Sequence, residues 1–274
     1  MDVAHPENKV HAPRRNFRYS GAILVLLSLA LAILVWYLLA ELAVIPPFML
    51  PRPATVWERF WQVLLDGSLF RHLLVTLQEV LAGLILGVCT ATALGYVLAK
   101  SRVVERFLSP YIVASQAVPI VAIAPLLIIW LGPGMFSKVL ICALIVFFPV
   151  LVNTIVGLRS VPEDLQDLMR SLKATRWQTV RLLEVPAAMP VFLGGLRIGA
   201  TLAVIGAVVG EFVGADRGLG FLINVGRGQY DTALVFVAVF TLIALAISLY
   251  GLVVLLEARL LSWKQRPEHP TLTQ

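Results

Sequence analysis

All five lysines of this 274-residue chain follow residues other than glycine: Asn8, Ala99, Ser137, Leu172 and Trp263. A nucleotide-binding phosphate loop requires Gly-Lys. The chain therefore has no such loop. The four histidines, His5, His11, His72 and His269, lie in the tails or near the end of an apolar run. The two cysteines, Cys89 and Cys142, sit in mid-run without metal-ligand spacing and read as packing residues. No Ser/His/Asp or paired-carboxylate constellation is present, so no catalytic residue, metal ligand or cofactor is expected and the chain does not read as an enzyme. The remaining chemistry belongs to polar groups inside apolar runs: Ser115, Gln116, Asn153, Thr154, Arg197 and Glu211. Such groups are costly in hydrocarbon and mark candidate solute pathways, with Ser115, Gln116, Asn153 and Glu211 as the path candidates. Other readings stay open. Ser115 and Gln116 can satisfy carbonyls freed by Pro119, and Asn153 those freed by Pro149. Arg197, about 10 Å along a helix from Pro190, reads as snorkelling to the nearer surface. Glu211 is expected at a water-filled gate, whereas Glu41 and Glu79 read as interface markers.

These groups must be held by membrane helices. The chain is 59% hydrophobic and 14% charged, with a mean hydropathy of +0.88. Uncharged runs cover 19–40, 80–99, 107–137, 139–158 and 232–256, and Arg197 alone interrupts 185–210. Each run approaches or exceeds the ~20 residues that cross ~30 Å of hydrocarbon. The expected fold is all-α and polytopic, with six transmembrane helices over 21–258 and tails at 1–20 and 259–274. The 107–137 run, with Pro119, Pro125 and Gly132-Pro133-Gly134, reads as one kinked span. The first run is too long for a signal-peptide core and reads as an uncleaved span.

Fifteen of the 22 lysines and arginines fall in the tails, 100–106 and 159–189, against six in the alternate loops 45–71, 131–138, where Lys138 is the one cation, and 213–231. This asymmetry places both termini and the 160–190 insert in the cytoplasm. The basic residues are spread over separate loops, so the net charge of +6 expresses topology and no nucleic-acid partner is expected.

The insert is the most informative segment. Ser160 and Glu163 form an S-x-x-E capping box and Thr175 and Gln178 a T-x-x-Q box, which predicts helix, break, helix. Leu165, Leu168, Met169 and Leu172 form a narrow apolar stripe suited to docking. The run from Asp167 through Leu168, Met169, Arg170, Ser171, Leu172, Lys173, Ala174 and Thr175 to Gln178, followed by Val185-Pro-Ala-Ala-Met-Pro190, resembles the EAA loop of ATP-binding-cassette (ABC) importer permeases. The flanks Leu50-Pro-Arg-Pro53, Trp130-Leu-Gly-Pro-Gly134, Phe147-Phe-Pro149 and Gly210-Glu-Phe-Val-Gly214 with Gly218-Leu-Gly220 resemble the nitrate, sulfonate and taurine branch. The resemblance covers about residues 45–258. Asp167-Leu168-Met169 replaces the family's usual Glu-Ala-Ala, and Lys173 stands where a glycine is usual.

The resemblance implies that residues 167–175 couple to ABC ATPase subunits. It also implies a second permease copy in a homodimer, an extracytoplasmic solute-binding protein and a location in the bacterial inner membrane. The substrate class stays open among sulfonate, taurine or nitrate types and pyrimidine or riboflavin-type vitamin precursors. A secondary transporter or channel is the rival reading, although the inverted repeats and paired ionisable residues expected of one are not evident.

Two stripes of small residues, Gly83, Gly87, Ala91, Gly95 and Gly195, Gly199, Ala203, Ala207, permit close helix approach. Gly206, Gly210 and Gly214 form a second face of the later helix and suggest packing on both of its sides. Residues 50–70 read as an external amphipathic helix that places Trp57 and Trp61 at lipid headgroups.

Overall fold

The computed structural model describes residues 17–42, 46 and 48–262, and among these it contains helices and turns without strands. The chain divides at Val56 into two compact units. In the first, α1 (Phe17–Glu41) is apolar on all faces and exposes most side chains from Ile23 to Leu39, as a lipid-facing span does. Its 25 residues reach about 37 Å, enough to cross the hydrocarbon. The Trp36 indole donates to the Pro51 carbonyl, and Arg52 pairs with Glu41. The helix α2 (Pro53–Leu65) straddles the division.

The second unit is built on α3 (Ser68–Lys100), α6 (Met135–Arg159), α9 (Val185–Gly214) and α11 (Thr232–Leu260), all long and apolar enough to span. The helix α6 lies between α3 and α9 and packs extensively on both. The small-residue stripes explain this closeness. A Cβ at Gly87 would stand 2.8 Å from the Ala143 carbonyl oxygen, and one at Gly206 would stand 2.8 Å from the Cys142 Cα. Packing within one chain therefore uses the α3 stripe and both glycine faces of α9. The helix α9 also packs on α11, α10 and α5, and Gly214 meets Ile128 and Pro133.

The 107–137 run departs from a simple kinked span. It forms α4 (Arg102–Gln116) and α5 (Ile120–Leu131), bent 94° apart. Pro119 stands at the break with extended backbone and caps α5, consistent with the bias of proline against continuing a helix. At 15 and 12 residues neither helix alone matches ~20. The described residues thus contain five long spans plus this bent pair. Ala124, Leu127 and Ile128 of α5 bury against Ile141 of α6.

The remaining elements are α7 (Glu163–Ser171), α8 (Arg176–Thr179) and α10 (Leu219–Gly228). Trp57, Phe60 and Trp61 of α2 form an aromatic cluster with much of both tryptophans exposed. The same helix is also anchored by protein. The Arg59 guanidinium lies 2.8 Å from Asp231, which caps α11 by accepting from the Leu234 amide.

Candidate functional site

The insert between α6 and α9 breaks as the sequence predicts, although its first start differs. The Ser160 hydroxyl donates back to the Gly157 carbonyl, and α7 begins after Pro162 without a side-chain cap. The expected Ser160/Glu163 capping box is therefore not formed. Ser160 lies too early, in the turn that ends α6, and Pro162 supplies a preset φ for entering α7. The second box is complete: the Gln178 side chain accepts from the Thr175 amide at 2.8 Å, and Thr175 Oγ1 accepts from the Gln178 amide at 3.3 Å.

Between the two helices, Lys173 adopts φ 53°. Its amide donates to the Arg170 carbonyl at 2.9 Å, and the Ala174 amide donates to Met169 at 3.0 Å. This pairing is a Schellman C-cap, whose left-handed position usually belongs to glycine. A lysine there carries about 1 kcal/mol of strain. Beside it, Leu165, Leu168 and Leu172 are exposed, Met169 is half-buried, and Trp177 is exposed on the following turn. Asp167 and Arg170 pair with each other on the surface.

The insert runs into the membrane without interruption, since Arg176–Gly214 forms one helical path. At Val180–Glu184 this path is π-helical, and the Val185 amide bonds to Val180, five residues back. Pro186 lacks an amide hydrogen and its ring disfavours a regular preceding turn, which accounts for the shifted ladder. The widened turn buries Glu184, whose carboxylate receives the Lys100 ammonium at 2.6 Å from the end of α3. The Tyr96 ring lies 5.8 Å from that ammonium. Neither Lys100 nor Glu184 stood out in the sequence, because their pairing depends on this local shift.

At the opposite end of the bundle a second polar cluster is almost fully buried. Glu79 and Glu211 are each 1% exposed, Lys138 is 4% exposed and Thr76 fully buried. Lys138 Nζ lies 3.1 Å from Glu79 Oε1. Thr76 Oγ1 donates to Glu211 Oε1 at 2.6 Å and accepts from the Leu219 amide at 2.8 Å. Glu211 Oε2 accepts from the Gly220 amide, and His72 Nδ1 accepts from the Gly218 amide. Gly218, at φ 118°, occupies backbone space that suits only glycine and turns the chain back over the carboxylate. Glu211 therefore closes onto the 215–220 segment and does not face a water-filled gate in this conformation. Glu79 is an internal ion-pair partner and not an interface marker, and Lys138 is not a loop charge. The signal was present in the spacing: Glu79 continues the Gly83, Gly87, Ala91, Gly95 stripe by four residues, as Glu211 continues the α9 stripe.

The other predicted path residues do not meet at this cluster. Ser115 is exposed and donates to the Ile112 carbonyl at 2.8 Å, and Gln116 is exposed at the end of α4. The Asn153 amide donates to the Pro149 carbonyl at 2.8 Å, while its side chain packs where a Cβ on Gly195 would stand. Arg197 does not simply snorkel. Its guanidinium pairs with Glu257 of α11 and lies 5.9 Å from the Tyr250 ring centroid.

Residues 82–262 match the family model described as the inner membrane component of binding-protein-dependent transport systems. The chain is 48% identical over 237 residues to the riboflavin transport system permease RibX of Chloroflexus aurantiacus, covering 86% of this chain and 88% of the relative. It is 38% identical to the formylaminopyrimidine transport permease ThiX of Halalkalibacterium halodurans, covering 80% and 88%. It is 33% identical to the taurine permease TauC of Escherichia coli, covering 93% and 96%. An amino acid ABC transporter structure has the same fold at TM-score 0.59 and 17% identity, covering 72% of this chain and 96% of that one. The match over the transmembrane core and the insert decides against a secondary transporter or channel: the chain belongs to the inner-membrane permease components of binding-protein-dependent ABC importers, in the branch related to the nitrate, sulfonate and taurine permeases.

Proposed function

We propose that two copies of this chain form the translocation path for a neutral, flat heterocycle of the riboflavin or pyrimidine-precursor type, delivered by an extracytoplasmic binding protein. One observation carries the substrate reading: among the described residues, both cations buried or half-buried within the spans are already neutralised, Lys138 by Glu79 and Arg197 by Glu257. Neither is free to hold a sulfonate or nitrate. The 48% identity to a riboflavin permease points the same way. Gln116 is the proposed polar path group, because the Ser115 hydroxyl and the Asn153 amide are committed to their own helices and the carboxylate of Glu211 to the 215–220 segment.

Coupling follows from the insert. A separate ATPase grips the exposed stripe of Leu165, Leu168 and Leu172, with Asp167 to Thr175 as the contact segment. Because α8 continues into α9, movement of the insert becomes movement of a spanning helix, and Lys100–Glu184 carries it to α3. The ATPase drives transport only if it binds the two states of the permease with different free energy. The charge asymmetry puts the insert and both termini in the cytoplasm, so Gln166→Cys should label only from inside and Ser68→Cys from outside. The reverse pattern would invert the topology.

The substrate reading is tested in proteoliposomes containing permease, ATPase and binding protein. ATP-dependent uptake of riboflavin or a formylaminopyrimidine is expected, with little uptake of taurine. Preferential taurine uptake would overturn it.

A further inference from the structure

The insert end of the bundle carries two arginines that coupling does not use. Lys100 ends α3, Ser101 caps α4 by accepting from the Val104 amide, and Arg102 and Arg106 lie one turn apart on α4. Arg159 ends α6. A cleft of about 780 Å³ opens among these helix ends and the start of the insert, with Lys100, Arg102, Arg106, Arg159 and Arg170 on its walls beside Glu105 and Glu163. Three of the five cations are compensated: Lys100 by Glu184, Arg159 by Glu105 and Arg170 by Asp167. Arg102 and Arg106 are exposed and make no ion pair or hydrogen bond among the described residues. The cleft thus presents two uncommitted guanidinium groups where long apolar helices end, at the depth of lipid headgroups.

The same helix continues into apolar surface. Val103, Phe107 and Tyr111 of α4 are largely exposed. Beside them a trough of about 570 Å³ runs between α3, α4 and α6, lined by apolar groups including Leu86, Leu94, Leu108, Ile112, Leu144 and Phe148. From Arg106 to Ser115, which also lines the trough, α4 rises about 14 Å, close to half of the ~30 Å hydrocarbon thickness. The 94° break between α4 and α5 follows immediately. The basic cleft and the apolar trough follow each other along α4, from Arg106 to Leu108, and together span about one leaflet with the polarity order of a phospholipid.

We propose that this is a binding site for an anionic phospholipid from the leaflet on the insert's side, with its phosphate at Arg102 and Arg106 and one acyl chain along the trough. Guanidinium groups suit phosphate oxygens through paired N–H donors, and basic pockets between membrane helices select acidic headgroups. A protein docking from the aqueous side would engage the cleft but not the trough. The lipid would hold α4 against α3 and α6 next to the Lys100–Glu184 contact, where bilayer composition can influence coupling.

The test is native mass spectrometry of purified full-length permease, stripped of lipid and returned to mixed micelles of phosphatidylglycerol and phosphatidylcholine. Wild type should retain phosphatidylglycerol over phosphatidylcholine by roughly tenfold or more. Arg102→Gln/Arg106→Gln should abolish that preference, whereas Arg102→Lys/Arg106→Lys should keep most of it. Ile112→Trp, which fills the trough and leaves both arginines, should lower retention of phosphatidylglycerol. Equal retention of the two lipids by wild type overturns the proposal. So does a Gln/Gln variant that keeps the preference but loses ATPase co-purification, because the arginines would then be a protein contact.

Discussion

The two ends of the α3, α6 and α9 layer solve opposite problems. At the far end, Glu79, Lys138, Glu211 and Thr76 are buried, and the chain itself supplies their partners. At the insert end, Leu165, Leu168, Leu172 and Trp177 stand exposed beside a lysine held in left-handed backbone. A buried charge is tolerated only when its partner is fixed, so the far cluster behaves as an internal clamp. An apolar stripe and a strained turn on the surface are tolerated when another subunit covers them, which fits the handle proposed for the insert. Substitutions at the first end should change stability, and those at the second should change assembly.

The largest stability effect is expected for Lys138→Met, which leaves the Glu79 carboxylate buried without its cation at a cost of about 3–5 kcal/mol. The thermal-unfolding midpoint in detergent should fall markedly, and adding Glu79→Leu should restore most of it. A single variant as stable as wild type would mean that the pair does not clamp these helices.

Glu211→Ala comes next. It strands the Gly220 amide at about 1–3 kcal/mol, while the Thr76 hydroxyl keeps the His72 carbonyl as an acceptor. Limited proteolysis should then cut within 215–219, where wild type resists. Glu211→Gln keeps an acceptor and should show a weaker version of the same change. Equal protection in all three proteins would remove the role assigned to this carboxylate.

The smallest effect belongs to the handle. Lys173→Gly relieves the left-handed lysine and should be neutral or stabilising by up to about 1 kcal/mol. ATPase affinity should be unchanged between low and high salt. A loss of affinity that grows at low ionic strength would instead identify Lys173 as a charge contact.

Much of this contrast was legible in the sequence. Uncharged length marked the spans, and four-residue spacing of glycine and alanine marked the faces that pack. The Thr175/Gln178 box located a helix start to the residue, and the substitution of lysine for glycine at 173 pointed to the strained turn. The missed features depend on three-dimensional coincidence. Lys138 read as loop charge because it borders an apolar run, yet it turns inward to meet Glu79, 59 positions earlier. Glu184 read as part of a polar insert because a π-helical turn imposed by Pro186 cannot be seen in helical periodicity. Ser160 matched a capping pattern while belonging to the end of the preceding helix. Arg197 read as snorkelling because its partner, Glu257, lies just beyond the last uncharged run.

The central claim is that the exposed stripe of α7 is the handle by which an ATPase moves this permease. It is tested most directly by Leu172→Asp, reconstituted with ATPase and binding protein, with uptake and ATPase co-purification measured beside thermal stability. Leu172 is 67% exposed, so the fold should keep its unfolding midpoint. Seating a carboxylate in an apolar dock costs several kcal/mol, so co-purification should be lost and uptake should fall at least tenfold. Wild-type uptake with normal ATPase association would contradict the account.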